Sequence, residues 1–135
     1  MRVLAIDPGS KRVGLAVSDP GGLIAQPLDT LSAEPEADLA ERLAAVATRV
    51  GAEELVVGLP RRLDGSEGPE ARAARELAGE LRRRTGLRVA LVDERLSSAQ
   101  AERSLIAQGA RRARRRQVGH SVAAALILQS YLARR

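Results

Sequence analysis

Apolar residues come first in short blocks. Val3-Leu4-Ala5-Ile6 is stopped by Asp7-Pro8-Gly9, and Val13-Gly14-Leu15-Ala16-Val17 follows a few residues later. This spacing predicts a strand, a tight turn and a second strand. A third strand is expected from about Ile24 to Leu31. From Asp38 the period changes: Leu39, Leu43, Val46 and Val50 recur at helical spacing, and Gly51 stands where such a helix would end. Leu55-Val56-Val57-Gly58 reads as a buried strand and residues 58–69 as a loop rich in Gly and Pro. Ala71, Ala74, Leu77, Ala78 and Leu81 restore the helical period until Gly86, and Val89-Ala90-Leu91-Val92 makes a fifth strand. Ser97 with Gln100 three residues on predicts a capping box for a helix running to about Gln108. The last helix is expected from about His120 to Arg134, with an Arg-rich connector before it.

An order of three strands followed by strands alternating with helices implies an α/β fold. An antiparallel hairpin opens it, crossover connections make the rest parallel, and helices cover both faces of a mixed five-stranded sheet. At 135 residues the chain suits one domain, 1–135. Function in such sheets collects at the carboxyl ends of the strands. Asp7, Pro60 and Asp93-Glu94 each follow an apolar run and fall at such an end.

Composition narrows the chemistry. There is no Cys, which removes disulfides, zinc-thiolate sites and cysteine nucleophiles. A single His excludes every multi-histidine site and leaves His120 as the one imidazole. Carboxylates must carry most of any catalysis. No stretch is apolar enough to predict a membrane span or a leader, so a cytoplasmic protein without a membrane partner is expected.

Net charge is +5, distributed one-sidedly: residues 68–135 hold 15 basic and 6 acidic side chains, and no acid follows Glu102. Arg111, Arg112, Arg114, Arg115 and Arg116 form a dense cluster. Guanidinium forks suit phosphate, so nucleic acid is the expected partner. Tyr131 is the only aromatic, so binding must rest on backbone charge and shape rather than base stacking. A solvated charge run remains the plainer account of the cluster.

Asp7 beside Gly9 has the room to meet a metal or a phosphate closely, although Asp-Pro-Gly is also an ordinary turn. Glu94 is a second candidate, with an ion pair to Arg95 or to the Arg cluster as its alternative. His120 by itself reads more simply as a helix-start or surface residue than as a ligand. Lys11 and Arg12 follow Asp7 closely and are candidate phosphate ligands, or else a solvated hairpin tip.

Taken together, A-I-D-P-G-S-K-R-V-G-L-A-V-S-D at 5–19, V-V-G-L-P-R-R-L-D-G-S-E at 56–67, D-E-R-L-S-S at 93–98 and A-A-A-L-I-L-Q-S-Y-L at 123–132 closely resemble the YqgF/RuvX family over the whole chain. The resemblance implies a ribonuclease H-like fold related to Holliday-junction resolvases, and a nuclease that matures the 5′ end of pre-16S rRNA. Some members are discussed as junction resolvases, so branched DNA is the alternative substrate. A nucleic-acid-binding module with weakened catalysis is a third reading. By position, Asp7 and Glu94 match two acidic metal ligands of the family, and His120 stands where its third acid would be. Such a nuclease works by in-line attack of water on a phosphodiester with two hard cations about 3.5–4 Å apart. Mg²⁺ or Mn²⁺ is the expected cofactor, with Mn²⁺ favoured because imidazole suits transition metals better. Both a monomer and a homodimer remain open, a junction resolvase normally requiring the two-fold dimer.

Overall fold

The computed structural model describes residues 1–96 and 112–134, with side chains for 1–95 and 121–134. Five strands form one sheet: β1 (Val3–Asp7), β2 (Arg12–Ser18), β3 (Ala25–Ser32), β4 (Glu54–Leu59) and β5 (Arg88–Asp93). Their order is β3-β2-β1-β4-β5. The first three are joined by hairpins and pair antiparallel, whereas β4 pairs parallel with both β1 and β5. The mixed sheet expected from the pattern is therefore present, with β1 in the middle and all five of its residues buried.

Alternation along the strands divides the core in two. Leu4, Ile6, Leu55, Val57 and Leu59 face α1 (Leu39–Val50) and α2 (Pro69–Thr85). Val3, Ala5, Val56 and Val92 face α3 (Arg112–Ala133) through Ala124, Ile127 and Leu128. Helices α1 and α2 both end on a left-handed glycine, Gly51 and Gly86, each with φ near 70°. Only a residue without a Cβ adopts that conformation at little cost, as the sequence pattern anticipated. Pro69 opens α2, where its missing N–H is not needed.

Two expectations change. Helix α3 begins by Arg112, eight residues before the expected start at His120, so Arg112, Arg114, Arg115 and Arg116 belong to the helix instead of a connector. The pattern rule missed this because four arginines in five positions carry no apolar period, yet arginine is a good helix former. The helix predicted from Ser97 to Gln108, and Arg111, lie outside the described residues.

The far end of α3 is pinned to the amino end of the sheet. The Tyr131 hydroxyl donates to Oε1 of Glu54, a carboxylate only 3% exposed. Gln129 brackets the β2–β3 turn, accepting from Ala25 N–H at 3.2 Å and donating to the Leu23 carbonyl at 3.0 Å. Removing the donor from a buried hydrogen-bond acceptor costs roughly 1–3 kcal/mol. Tyr131→Phe is accordingly expected to lower stability by that amount without affecting substrate affinity, as read from urea unfolding and from binding by the same preparation.

Candidate active site

Asp7 ends the central strand and is 6% exposed. Glu94 opens the 3-10 turn after β5, at the same end of the sheet, because β1, β4 and β5 run parallel. Counting along the alternation, Asp7 follows Val3 and Ala5, and Glu94 follows Ala90 and Val92, so both stand on the face covered by α3. The two carboxyl groups share a hydrogen bond. Burial pushes the Glu94 carboxyl up to about 9, with the hydrogen bond to Asp7 and the charges of Asp7 and Asp93 adding to the rise. At neutral pH Glu94 is thus protonated and donates to Asp7. Two acids driven together in a buried niche and holding a proton between them form a set that a divalent cation fits, since the cation replaces the proton and removes the repulsion.

Asp93 acts on this niche through its charge and not as a partner in the shared hydrogen bond. Arg95 grips it with Nε at 3.1 Å and Nη2 at 2.7 Å of Oδ2, and this side-chain hydrogen bonding above all holds the Asp93 carboxyl below its ordinary value. Arg95 is thus engaged by the neighbouring acid rather than by Glu94, while the side chains of the Arg cluster, the other alternative partner, lie outside the described residues. Arg95 also donates to the Leu63 carbonyl at 3.4 Å, and Arg61 spans Glu67 at 3.4 Å and Asp93 at 4.0 Å. Asp64 accepts from both the N–H and the hydroxyl of Ser66, at 2.8 and 2.6 Å, and Gly65 takes φ 88°. The Gly- and Pro-rich loop is hence a tied turn, braced against the residue next to Glu94. This gives Asp64 and Gly65 a structural account that the sequence did not supply.

Lys11, on the turn between β1 and β2, and Arg12, the first residue of β2, lie at the same end of the sheet, and both are exposed. Arg12 donates to the Thr30 hydroxyl on β3 at 3.1 Å. The backbone of His120 lies within α3, one turn before Ala124, on the row that continues through Ile127, Leu128 and Tyr131. Its side chain falls outside the described residues, as do those of the Arg cluster. Among the described residues no group of three His, Asp or Glu side chains converges as a metal site. The sequence missed one participant in the niche: Gly58 of β4, over which the Glu94 side chain lies. Its position beside Val56 in a strand flanked by β1 and β5 is the signal, but that signal becomes readable only once the strand order is known.

The strand order and the acid at the end of the central strand define a ribonuclease H-like fold. It superimposes on T. thermophilus RuvC in complex with Holliday junction substrate with a TM-score of 0.64, at 20% identity, covering 99% of this chain and 95% of that one. The fowlpox virus Holliday junction resolvase gives 0.61 at 10% identity, with 99% of each chain covered. The family model for RuvX, described as Holliday junction resolvase, matches residues 1–134. The chain belongs to the RuvX family. A relative from Moorella thermoacetica is 48% identical over 99% of this chain and 96% of its own length, and one from Pelotomaculum thermopropionicum is 46% identical over 98% and 86%. Both relatives carry the name "Putative pre-16S rRNA nuclease". The chain is a nuclease by class, a hydrolase of phosphodiester bonds. No helix among the described residues is long and apolar enough to cross a membrane.

Proposed function

We propose that the protein is a divalent-cation-dependent nuclease that trims the 5′ end of pre-16S rRNA in the cytoplasm, with Asp7 and Glu94 holding the cation. The observation that carries this reading is the hydrogen bond that the buried Asp7 carboxyl shares with the half-buried Glu94 at the carboxyl end of the central strands. The named relatives at 46–48% identity favour precursor rRNA as the substrate. Bound there, the cation supplies Lewis-acid polarisation of the phosphodiester and lowers the pKa of water. Asp7, fixed by a fully paired strand, presents its carboxylate without reorganisation. Glu94 gives up its proton when the cation enters and adds the second negative charge. His120 supplies the remaining protein ligand from α3, which favours Mn²⁺ over Mg²⁺ because imidazole suits the softer ion. Lys11, Arg12 and the arginines at 111, 112, 114, 115 and 116 hold the flanking phosphates without reading sequence.

Side-by-side cleavage of a pre-16S fragment, single-stranded RNA, duplex DNA and a four-way junction by pure protein tests the reading. Cutting of the rRNA precursor is expected with Mn²⁺, more slowly with Mg²⁺, and not with a chelator. Preferential, paired cutting of the junction would support instead the resolvase activity that the family model's description names. Such an activity requires a two-fold dimer, whereas a monomer suffices for trimming one RNA strand. No cleavage with any metal would leave a binding module only. Replacing Arg111, Arg112, Arg114, Arg115 and Arg116 with Gln is expected to weaken binding to all sequences alike. It should also flatten the log–log salt slope by roughly 0.7 per lost contact on a single strand; an unchanged slope would mean a merely solvated run.

A further inference from the structure

Glu94 directly follows β5 and Asp7 ends β1, and β4 lies between the two strands. Neighbouring strands stand about 4.8 Å apart, so the two acids start from backbones roughly 10 Å apart and can meet only across β4. The register places the crossing. Ile6 pairs with Val57, which sets Asp7 beside Gly58, and on the other side Gly58 pairs with Val92, two residues before Glu94. Gly58 also shares a face with Val56, the face on which Asp7 and Glu94 stand. A Cβ built on Gly58 would come 2.6 Å from Glu94 Oε1 and 3.0 Å from its Cγ. Ile127 of α3 closes the space from above, its Cδ1 3.0 Å from the same point. The Glu94 side chain therefore runs through a slot whose floor is the missing side chain of Gly58 and whose roof is Ile127.

We propose that Gly58 is a positioning residue for the reaction: by lacking a Cβ it lets Glu94 reach over β4 to Asp7, and so fixes the spacing of the two carboxylates. The need is steric rather than conformational, since the residue lies within a regular strand where any L residue fits the backbone. Every larger side chain at 58 must push Glu94 toward β5 and away from Asp7, or lift Ile127. The first outcome opens the pair that the cation requires. A misplacement of about 1 Å in such a constellation costs on the order of 10²-fold in rate.

The inference rests on the reading of Asp7 and Glu94 as the cation's ligands, and its test separates the two. Gly58→Ala is compared with wild type in three measurements: kcat and KM for RNA cleavage, Mn²⁺ binding by titration, and metal-free thermal stability. The variant is expected to lose about 10²-fold in kcat with KM for RNA unchanged, because the basic surfaces are untouched, and to bind Mn²⁺ at least tenfold more weakly. In a Glu94→Ala background the same substitution is expected to cost much less stability than in wild type, since the group it crowds is gone. Should Gly58→Ala fail to fold, Ile127→Val removes the atom above and gives a background in which the crowding of Glu94 is still present and measurable. Equal stability costs in the two Glu94 backgrounds, or unaltered kcat and Mn²⁺ affinity, would overturn the proposal. Absence of Asp7-dependent Mn²⁺ binding in wild type would instead overturn the ligand reading, while the stability cycle still decides whether Gly58 seats Glu94.

Discussion

Asp7→Asn is expected to reduce cleavage by more than about 10²-fold while the fold and RNA binding survive. Asparagine keeps the shape of the side chain and its place at the end of β1, where every residue from Val3 onward is buried. What it loses is the charge opposite Glu94. Removal of a group that stabilises charge at a reacting centre typically costs 10²–10³-fold in rate. On the proposed reading cationic side chains, not Asp7, hold the RNA backbone, so a filter-binding curve for the variant should overlay that of wild type. Near-native cleavage by the pure variant would remove Asp7 from the chemistry.

Glu94→Gln is expected to separate stability from activity. In the unfolded chain Glu94 titrates near 4.5, whereas burial above all, and then the contact with Asp7, raises it to about 9 in the folded protein. Between those values the folded state holds a proton that the unfolded state has released. Stability must therefore fall as pH rises through that window, and the contribution is complete only below about 4.5. Glutamine is neutral in both states and escapes this loss. Metal-free thermal melts of the two proteins should coincide at low pH and diverge as pH rises, the variant gaining on the order of 3 kcal/mol at neutral pH. Its cleavage should nevertheless fall by about 10²-fold, because an amide cannot supply the second charge. Added Mn²⁺ should stabilise wild type at neutral and alkaline pH and leave the variant unmoved. Parallel pH profiles for the two would show that Glu94 titrates normally in the folded chain.

The period of the apolar residues was enough to read most of the fold. Strands with a clear run, such as Val3–Asp7 and Glu54–Leu59, and helices with a four-residue repeat ending in glycine, such as Leu39–Val50, fall within a residue or two of expectation. The start of α3 was not readable, because arginines at 112 and 114–116 have helical propensity but no apolar stripe to mark a face. Asp7 and Glu94 were legible as strand-end acids, and the structure brings them together. Two features around the niche depend on side-chain contacts and strand neighbours that the apolar period does not encode, and were therefore hidden. One is the capture of Asp93 by Arg95 and Arg61, which leaves Glu94 as the acid that turns to Asp7. The other is Gly58, whose meaning lies in its neighbours on β1 and β5 rather than along its own strand.

The central claim is that Asp7 and Glu94 jointly hold a divalent cation. Anomalous scattering from crystals soaked in Mn²⁺ at a pH near 8 tests it most directly. The account predicts a manganese peak between the Asp7 and Glu94 carboxylates, within about 2.0–2.6 Å of an oxygen from each, and absent from Asp7→Asn crystals treated identically. A site that stays empty in wild type, or manganese bound elsewhere with the two carboxyl groups still sharing their proton, would contradict it.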